Sequence, residues 1–162
     1  MQIAFIQTGG TIDKDYPKVT KGWAFEIAEP AFNRVLEKLN PSFSFNSYEL
    51  FKKDSQEITL EDREKLKSLC ESISEDKIII THGTDTMVET AKYLRHTNKT
   101  IVITGAMKPE RFSNSDAPIN LGAAIAACQT LNKGSYLVMH GMVNPHEQVE
   151  RDLQTGKYYI NE

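Results

Sequence analysis

The chain has 162 residues and a formal net charge of −3, from 19 Lys and Arg against 22 Asp and Glu. With 40% hydrophobic and 25% charged residues it has the composition of an ordinary globular protein, which excludes disordered, collagen-like and disulfide-scaffold chains. Since domains have roughly 100 to 200 residues, we expect one domain over residues 1–162. The basic residues are scattered and no apolar run is long enough to cross a membrane, so we expect neither nucleic acid nor membrane as a partner.

The N-terminus is typical of a first strand rather than of a secretory signal, because Met1–Gln7 lacks a basic segment followed by a long apolar one. We therefore expect a cytoplasmic protein. Cys70 and Cys128 are far apart and have no His or second Cys at metal-ligand spacing, so we expect buried free thiols. Nothing in the sequence indicates a metal or an organic cofactor.

Short apolar runs alternate with segments of helical periodicity, the pattern of a parallel sheet covered by helices. The sequence predicts strands at about 2–7, 45–51, 77–81, 100–104 and 134–139, and helices around 32–39, 66–73, 87–94 and 121–128. The runs at 77–81 and 100–104 are apolar on both faces, as central parallel strands are. The predicted fold class is α/β, with three layers and a mainly parallel sheet.

Residues 13–27 depart from this rhythm because they show no helical period. Trp23, Phe25 and Ile27 alternate with Ala24 and Glu26, which predicts a small hairpin after a polar loop. A long loop directly after the first strand is a suitable lid.

Four loops at the carboxyl ends of predicted strands are rich in glycine and hydroxyl groups. They are the segments 8–11 (TGGT), 54–56 (DSQ), 81–86 (THGTDT) and 104–107 (TGAM). Ligands of an open parallel sheet bind at this edge, where loops lead into helix N-termini. Glycine lets the backbone approach a small ligand, and a threonine hydroxyl is a possible nucleophile. We expect the four loops to converge on one crevice.

Taken singly, these residues have structural explanations. Thr84 or Asp85 is suited to cap the helix near 86–94. Ser55 is suited to a turn, His82 to holding loop backbone, and a Gly-Gly pair after a strand is a common turn.

Taken together, the motifs resemble the L-asparaginase family. They are, in chain order, Thr8–Ile12 (TGGTI), Thr81–Met87 (THGTDTM), Thr104–Pro109 (TGAMKP) and Ser115–Leu121 (SDAPINL). Their order, spacing and strand contexts match those of the family over essentially the whole chain. The resemblance is to the larger N-terminal domain of long asparaginases and implies that fold; the family's smaller C-terminal domain is absent from these 162 residues.

The resemblance implies an amidohydrolase that converts L-asparagine to L-aspartate and ammonia without a cofactor. Thr11 would be the nucleophile that forms an acyl-enzyme, with Tyr16 of the loop against its hydroxyl. Thr84 and Asp85 would form a relay with a cation, and the Thr84 N–H is a candidate oxyanion donor. Hydroxyl, carboxylate and backbone N–H groups of this kind are what amide hydrolysis at neutral pH requires.

The relay cation departs from the family pattern. Long asparaginases have a lysine there, whereas the alignment places Arg151 at this position and leaves Lys157 as the alternative. Since arginine does not lose its proton in proteins, proton removal would fall to Tyr16, Asp85 or water.

The resemblance also implies a set of substrate contacts. Asp85 would hold the α-ammonium, Ser55 and Gln56 the α-carboxylate and α-amino ends, and the Ala106 carbonyl the amide nitrogen. The full set of implied binding residues is Gly10, Ser55, Gln56, Gly83, Thr84, Asp85 and Ala106.

In long asparaginases the C-terminal domain helps to complete a neighbouring subunit's pocket. We therefore expect weak substrate affinity and low glutaminase activity. We also expect at least a homodimer, because the open crevice of a lone domain gains water exclusion from a partner. A Rossmann nucleotide site is the less favoured of two alternatives, because Gly9-Gly10 followed by Thr11 lacks the Gly-x-Gly-x-x-Gly spacing. A non-catalytic amino-acid sensor on a shortened asparaginase scaffold stays open as the alternative. Arg151 and the missing C-terminal domain favour it, whereas the presence of Thr11, Thr84 and Asp85 together argues against it.

Overall fold

The computed structural model describes residues 1–18 and 25–161. The strands are β1 (Gln2–Gly9), β2 (Lys14–Asp15), β3 (Glu26–Ile27), β4 (Ser44–Lys53), β5 (Lys77–Thr81), β6 (Thr100–Thr104), β7 (Gly134–Met139), β8 (Met142–Pro145), β9 (Val149–Arg151) and β10 (Tyr158–Ile160). The helices are α1 (Ala31–Leu39), α2 (Leu60–Ser72), α3 (Met87–Tyr93) and α4 (Ala117–Thr130).

Six strands form the central sheet, in the order β4-β1-β5-β6-β7-β8. The first five of these are parallel, and β8 runs antiparallel to β7. Every crossover between parallel strands passes through a helix, so the carboxyl ends of β1, β4, β5 and β6 lie along one edge. This edge carries the four polar loops.

Alternate side chains of the strands pack against two helical layers. Phe5, Ile79 and Val102 face a cluster with residues of α1 and α4. Ile80 and Ile103 face the other cluster, with residues of α2 and α3. Because successive side chains of a strand point to opposite faces of the sheet, each strand contributes to both clusters. A strand rich in isoleucine is apolar on both faces and can therefore be covered by helices on both. The predicted three-layer α/β class with a mainly parallel sheet is confirmed.

The last third of the chain contains strands that the sequence did not predict. After β7 the chain turns back as β8, and β9 and β10 form a separate antiparallel pair. Val149 and Tyr158 of this pair are buried in the cluster of α2 and α3. Strands of three or four residues are too short for a period-two pattern to stand out.

The segment of residues 13–27 contains a short ladder, in which Lys14 and Asp15 pair with Ile27 and Glu26. This agrees with the predicted hairpin at its two ends, while Trp23 and Ala24 lie outside the described residues.

Cys70 and Cys128 are buried and free, as the sequence predicts. Burial raises the pKa of both thiols to about 12. Among the helices described, none is long and apolar enough to cross a membrane.

Candidate active site

The loops after β1 and β5 touch through two glycines. Gly10 has a φ of +87°, and a Cβ placed on it would lie 2.3 Å from the Gly83 Cα. Any larger residue at position 10 would therefore force the two backbones apart. Thr11 and Thr84 directly follow these glycines. The contact therefore brings the two threonine-bearing segments together at one edge of the sheet.

Ser55 joins the third loop to the same place. A Cβ on Gly83 would lie 2.6 Å from the Ser55 Cβ. The Ser55 hydroxyl accepts a hydrogen bond from the Asp85 N–H at 3.1 Å, and the Ser55 carbonyl accepts one from the Thr86 hydroxyl at 2.7 Å. Ser55 is buried at the start of a single 3-10 turn, so its turn position and its contacts with the β5 loop occur together.

The loop after β6 is fixed by two polar residues of α4 and its N-cap. The Asn120 amide donates to the Gly105 carbonyl and to the Asp116 carboxylate, both at 3.0 Å. Asp116 also accepts from the Met107 N–H at 3.0 Å. Ala106, between these anchors, is buried, and its carbonyl accepts no hydrogen bond within residues 1–18 and 25–161. Asp116 and Asn120 lie in the SDAPINL motif, but the sequence assigned them no role.

His82 supports the backbone at Gly83. Its Nδ1 lies 2.7 Å from the Gly83 carbonyl and its Nε2 2.9 Å from the Thr90 hydroxyl, which accepts from Arg63. Burial lowers the pKa of His82 to about 4, so the ring is neutral at pH 7. In this state Nδ1–H donates to the carbonyl and Nε2 accepts from Thr90. His82 thus holds the loop backbone.

The two threonine hydroxyls are available to a ligand. Thr11 is half-buried and Thr84 is 8% exposed. In the part of the chain that the structure describes, no side chain or backbone group forms a hydrogen bond with either hydroxyl, and the Thr84 N–H is likewise unpaired.

Asp85 is held as an anion by its neighbours. Its carboxylate accepts hydrogen bonds from the Arg151 guanidinium and, at 2.9 Å, from the Gln56 amide. The hydrogen bond from Arg151 is the main reason that the pKa of Asp85 lies below its ordinary value. The N-cap of α3 is Thr86, and among the described residues no side chain forms a capping hydrogen bond at this helix. The capping explanation for Thr84 or Asp85 is therefore not what the structure shows.

The family called Asparaginase, N-terminal, matches residues 2–154 of the chain. The chain belongs to the asparaginase family. A glutaminase-asparaginase of Acinetobacter glutaminasificans is 29% identical over 93% of the chain and 50% of its own length. L-asparaginase 2 of Bacillus subtilis is 27% identical over 87% of the chain and 41% of its own length. The chain thus spans about half the length of the curated relatives it matches.

A solved structure extends this agreement to three dimensions. The thermostable L-asparaginase from Thermococcus kodakarensis superposes with a TM-score of 0.80 and 25% identity, over 93% of the chain and 48% of its own. The predicted asparaginase-like fold is confirmed.

Of the two cations that the asparaginase resemblance left open, Arg151 is the one that meets Asp85. Its side chain is 14% exposed, and its Nε donates to the Gly156 carbonyl at 3.3 Å. Lys157 is exposed and forms no ion pair within the described ranges.

Tyr16, the predicted helper of the asparaginase nucleophile, lies at the surface. It is 73% exposed, and its ring packs on Phe25 with centroids 5.1 Å apart. Phe25 in turn contacts Phe112 of the loop after β6. The described residues show no hydrogen bond between Tyr16 and Thr11, so its catalytic role stays a prediction.

The sequence did not predict the burial of the Asp13 carboxyl group, two residues after Thr11. Asp13 is fully buried and accepts the Ala31 N–H at 2.7 Å through one oxygen. Its other oxygen and the Gln7 Oε1 are buried without a partner among the residues described. Burial raises the pKa of Asp13 to about 7. Nothing local in the sequence indicates this burial, because α1 returns from further along the chain.

No group of three or more His, Cys, Asp or Glu residues in the described ranges is placed to hold a metal ion.

Proposed function

We propose that the chain hydrolyses the side-chain amide of L-asparagine to L-aspartate and ammonia. Family membership supports amidohydrolase chemistry in general. The observation that carries the proposal is the backbone contact between Gly10 and Gly83, because it joins the segments of Thr11 and Thr84 in a chain of this family. A sensor of amino acids has no need of two unpaired hydroxyls at one site.

In the proposed reaction the Thr11 oxygen attacks the amide carbon, and the carbonyl electron pair moves to oxygen. When the tetrahedral intermediate collapses, the C–N bond breaks and the hydroxyl proton reaches the leaving nitrogen as ammonia. Water then cleaves the ester and restores the Thr11 hydroxyl. The unpaired Thr84 N–H is a suitable donor for the oxyanion, since preorganised backbone donors stabilise such charge.

Proton removal from Thr11 needs a base other than Arg151, whose guanidinium stays charged. Asp85 is a weak base because its pKa is lowered by Arg151. Tyr16 or a water molecule therefore takes the proton in this proposal, while Asp85 and Arg151 act as a fixed charge pair.

The same groups would hold the substrate. The Asp85 carboxylate attracts the α-ammonium group, and the unpaired Ala106 carbonyl accepts the amide N–H. Because the Ser55 hydroxyl accepts from Asp85, its own proton is left to donate to the α-carboxylate. Gln56, Gly10 and Gly83 complete the proposed binding set.

We also propose at least a homodimer. Leu153 is 89% exposed on the turn that joins the strand of Arg151 to β10, and a partner covering it would exclude water from the site. Sedimentation equilibrium measures the assembly, and a monomer at micromolar concentration contradicts this expectation.

The test of function is ammonia release from L-asparagine, L-glutamine and D-asparagine. We expect turnover of L-asparagine that falls on the order of 10³-fold or more in Thr11→Ala and Thr84→Val. Thr130→Val, which removes an exposed hydroxyl at the end of α4, is the matched control. Calorimetric binding of asparagine without ammonia would instead favour the sensor. A mass spectrum with the aspartyl adduct on a residue other than Thr11 would reassign the nucleophile.

A further inference from the structure

The β9–β10 pair holds the loop after β5 at two points. Arg151 and Tyr158 are directly opposite each other in its register. Arg151 donates to the Asp85 carboxylate, and the Tyr158 hydroxyl donates to the Thr84 carbonyl. Two side chains of one cross-strand pair thus contact two successive residues of the candidate site.

Tyr158 is itself firmly placed. It is 5% exposed, and its ring lies under the Arg151 guanidinium, 5.7 Å from the ring centroid. The His140 ring packs 5.8 Å away, and the Tyr158 N–H points to His140 Nδ1 at 3.4 Å. Burial raises the pKa of the phenol above its ordinary value, so the hydroxyl remains a donor throughout the neutral range.

The peptide group between Thr84 and Asp85 is consequently held from both sides. Its carbonyl accepts from Tyr158, while its N–H donates to the Ser55 hydroxyl at 3.1 Å. Since the peptide unit is planar, two opposed hydrogen bonds fix its rotation. Fixing this plane restricts the backbone at Thr84 and therefore the direction of its Cα–Cβ bond.

We propose that Tyr158 is a positioning residue, which orients Thr84 through its carbonyl and aligns Arg151 on Asp85 through its ring. The role in turnover rests on the proposed function. A purely structural role would instead anchor β10 to the sheet, so that losing the hydroxyl would lower stability but leave the turnover of the folded protein unchanged.

The decisive comparison is Tyr158→Phe against Tyr159→Phe. The second change removes the neighbouring hydroxyl, which donates to Glu150 at 2.9 Å on an exposed side chain. With rates normalised to the folded fraction by circular dichroism, we expect Tyr158→Phe to lower kcat about five- to tenfold, the value of one neutral hydrogen bond. KM should change less than about twofold, because Asp85 and Ser55, which are proposed to hold the α-ammonium and α-carboxylate groups, stay in place. The control should match the parent in both constants.

A second readout does not depend on turnover. The backbone 13C resonance of the Thr84 carbonyl should shift in Tyr158→Phe and not in Tyr159→Phe, because the carbonyl loses its donor. If Tyr158→Phe does not fold, the parent suffices: in deuterium oxide the Thr84 carbonyl resonance should shift by a different amount from carbonyls that accept no hydroxyl hydrogen bond, because exchange of the following amide shifts every carbonyl alike.

These results separate the two proposals. A parent without ammonia release overturns the proposed function and the catalytic part of this inference, while the carbonyl shift still decides whether Tyr158 holds Thr84. An active parent with unchanged kcat in Tyr158→Phe overturns the positioning role. An unchanged Thr84 resonance overturns the contact itself.

Discussion

Asp13→Asn should stabilise the chain at alkaline pH, because Asp13 is a carboxyl group in a place that disfavours charge. It is fully buried, one oxygen accepts the Ala31 N–H, and the other has no partner among the described residues. A hydrogen bond from the Gln7 side chain lowers the pKa of Asp13, but the effect of burial is larger. The asparagine side chain keeps the shape of the carboxyl group and carries no charge, so it avoids the cost of burying an ionised group.

The magnitude follows from the pKa, which burial raises from 3.8 to about 7. Each pKa unit corresponds to about 1.36 kcal/mol, so ionising Asp13 in the folded chain costs up to about 4 kcal/mol. The folded state binds the proton more tightly than the unfolded state. The parent therefore loses stability as pH rises from about 4 to about 7, and the loss is complete above that range. The asparagine variant lacks this dependence.

The assay is urea unfolding of parent and variant, followed by far-UV circular dichroism between pH 5 and pH 8. The free energy of unfolding of the variant relative to the parent should rise by about 2.5 kcal/mol over this range. Asp15→Asn controls for the loss of a negative charge in the same segment, at a carboxylate that pairs with Arg111. A difference between Asp13→Asn and parent that stays constant from pH 5 to pH 8 would refute the argument, since it would mean that the buried carboxyl does not gain a proton on folding.

Three further outcomes are expected. Arg151→Ala should raise the pKa of Asp85 towards its ordinary value, because the lost hydrogen bond is the main cause of the lowering; a carboxyl 13C titration measures this, and an unchanged midpoint contradicts it. Gly83→Ala should lower stability by roughly 1–3 kcal/mol, since its Cβ meets the backbone and side chain of the neighbouring loop, whereas Gly122→Ala in α4, with nothing within 4 Å, should be neutral or stabilising; equal melting temperatures of the two variants would count against the close approach. The two buried thiols, with pKa values of about 12, should react with Ellman's reagent at pH 8 only after unfolding, and rapid labelling of the native protein would contradict their burial.

The sheet could be predicted because few residue patterns are compatible with its central strands. The strands at 77–81 and 100–104 begin and end where predicted, since runs that are apolar on both faces fit only the middle of a covered parallel sheet. The convergence of the loops then follows from parallel topology. The resemblance to asparaginases identified Arg151 as the candidate relay cation. The spacing of the two residues in the sequence could not indicate its contact with Asp85.

The features that escaped prediction depend on distant parts of the chain. Tyr158 lies in a three-residue strand, and its partner is a backbone carbonyl 74 residues earlier. Every residue has a backbone carbonyl, so the residue type does not indicate which carbonyl will accept a hydrogen bond. The burial of Asp13 likewise depends on α1 returning over it. Tyr16 lies on Phe25 at the surface, although the resemblance implied a place against the Thr11 hydroxyl.

The attachment of β9 and β10 has a consequence for how the fold opens. Within residues 1–18 and 25–161, these strands pair only with each other, outside the six-stranded sheet, and lie against it through Val149 and Tyr158. Small units of this kind tend to detach and re-dock at a free energy well below that of global unfolding. Amide protons of β9 and β10 should therefore exchange with solvent sooner than those of β5 and β6. Detachment of this pair would separate the Asp85 carboxylate from the Arg151 guanidinium while the sheet behind it remains intact.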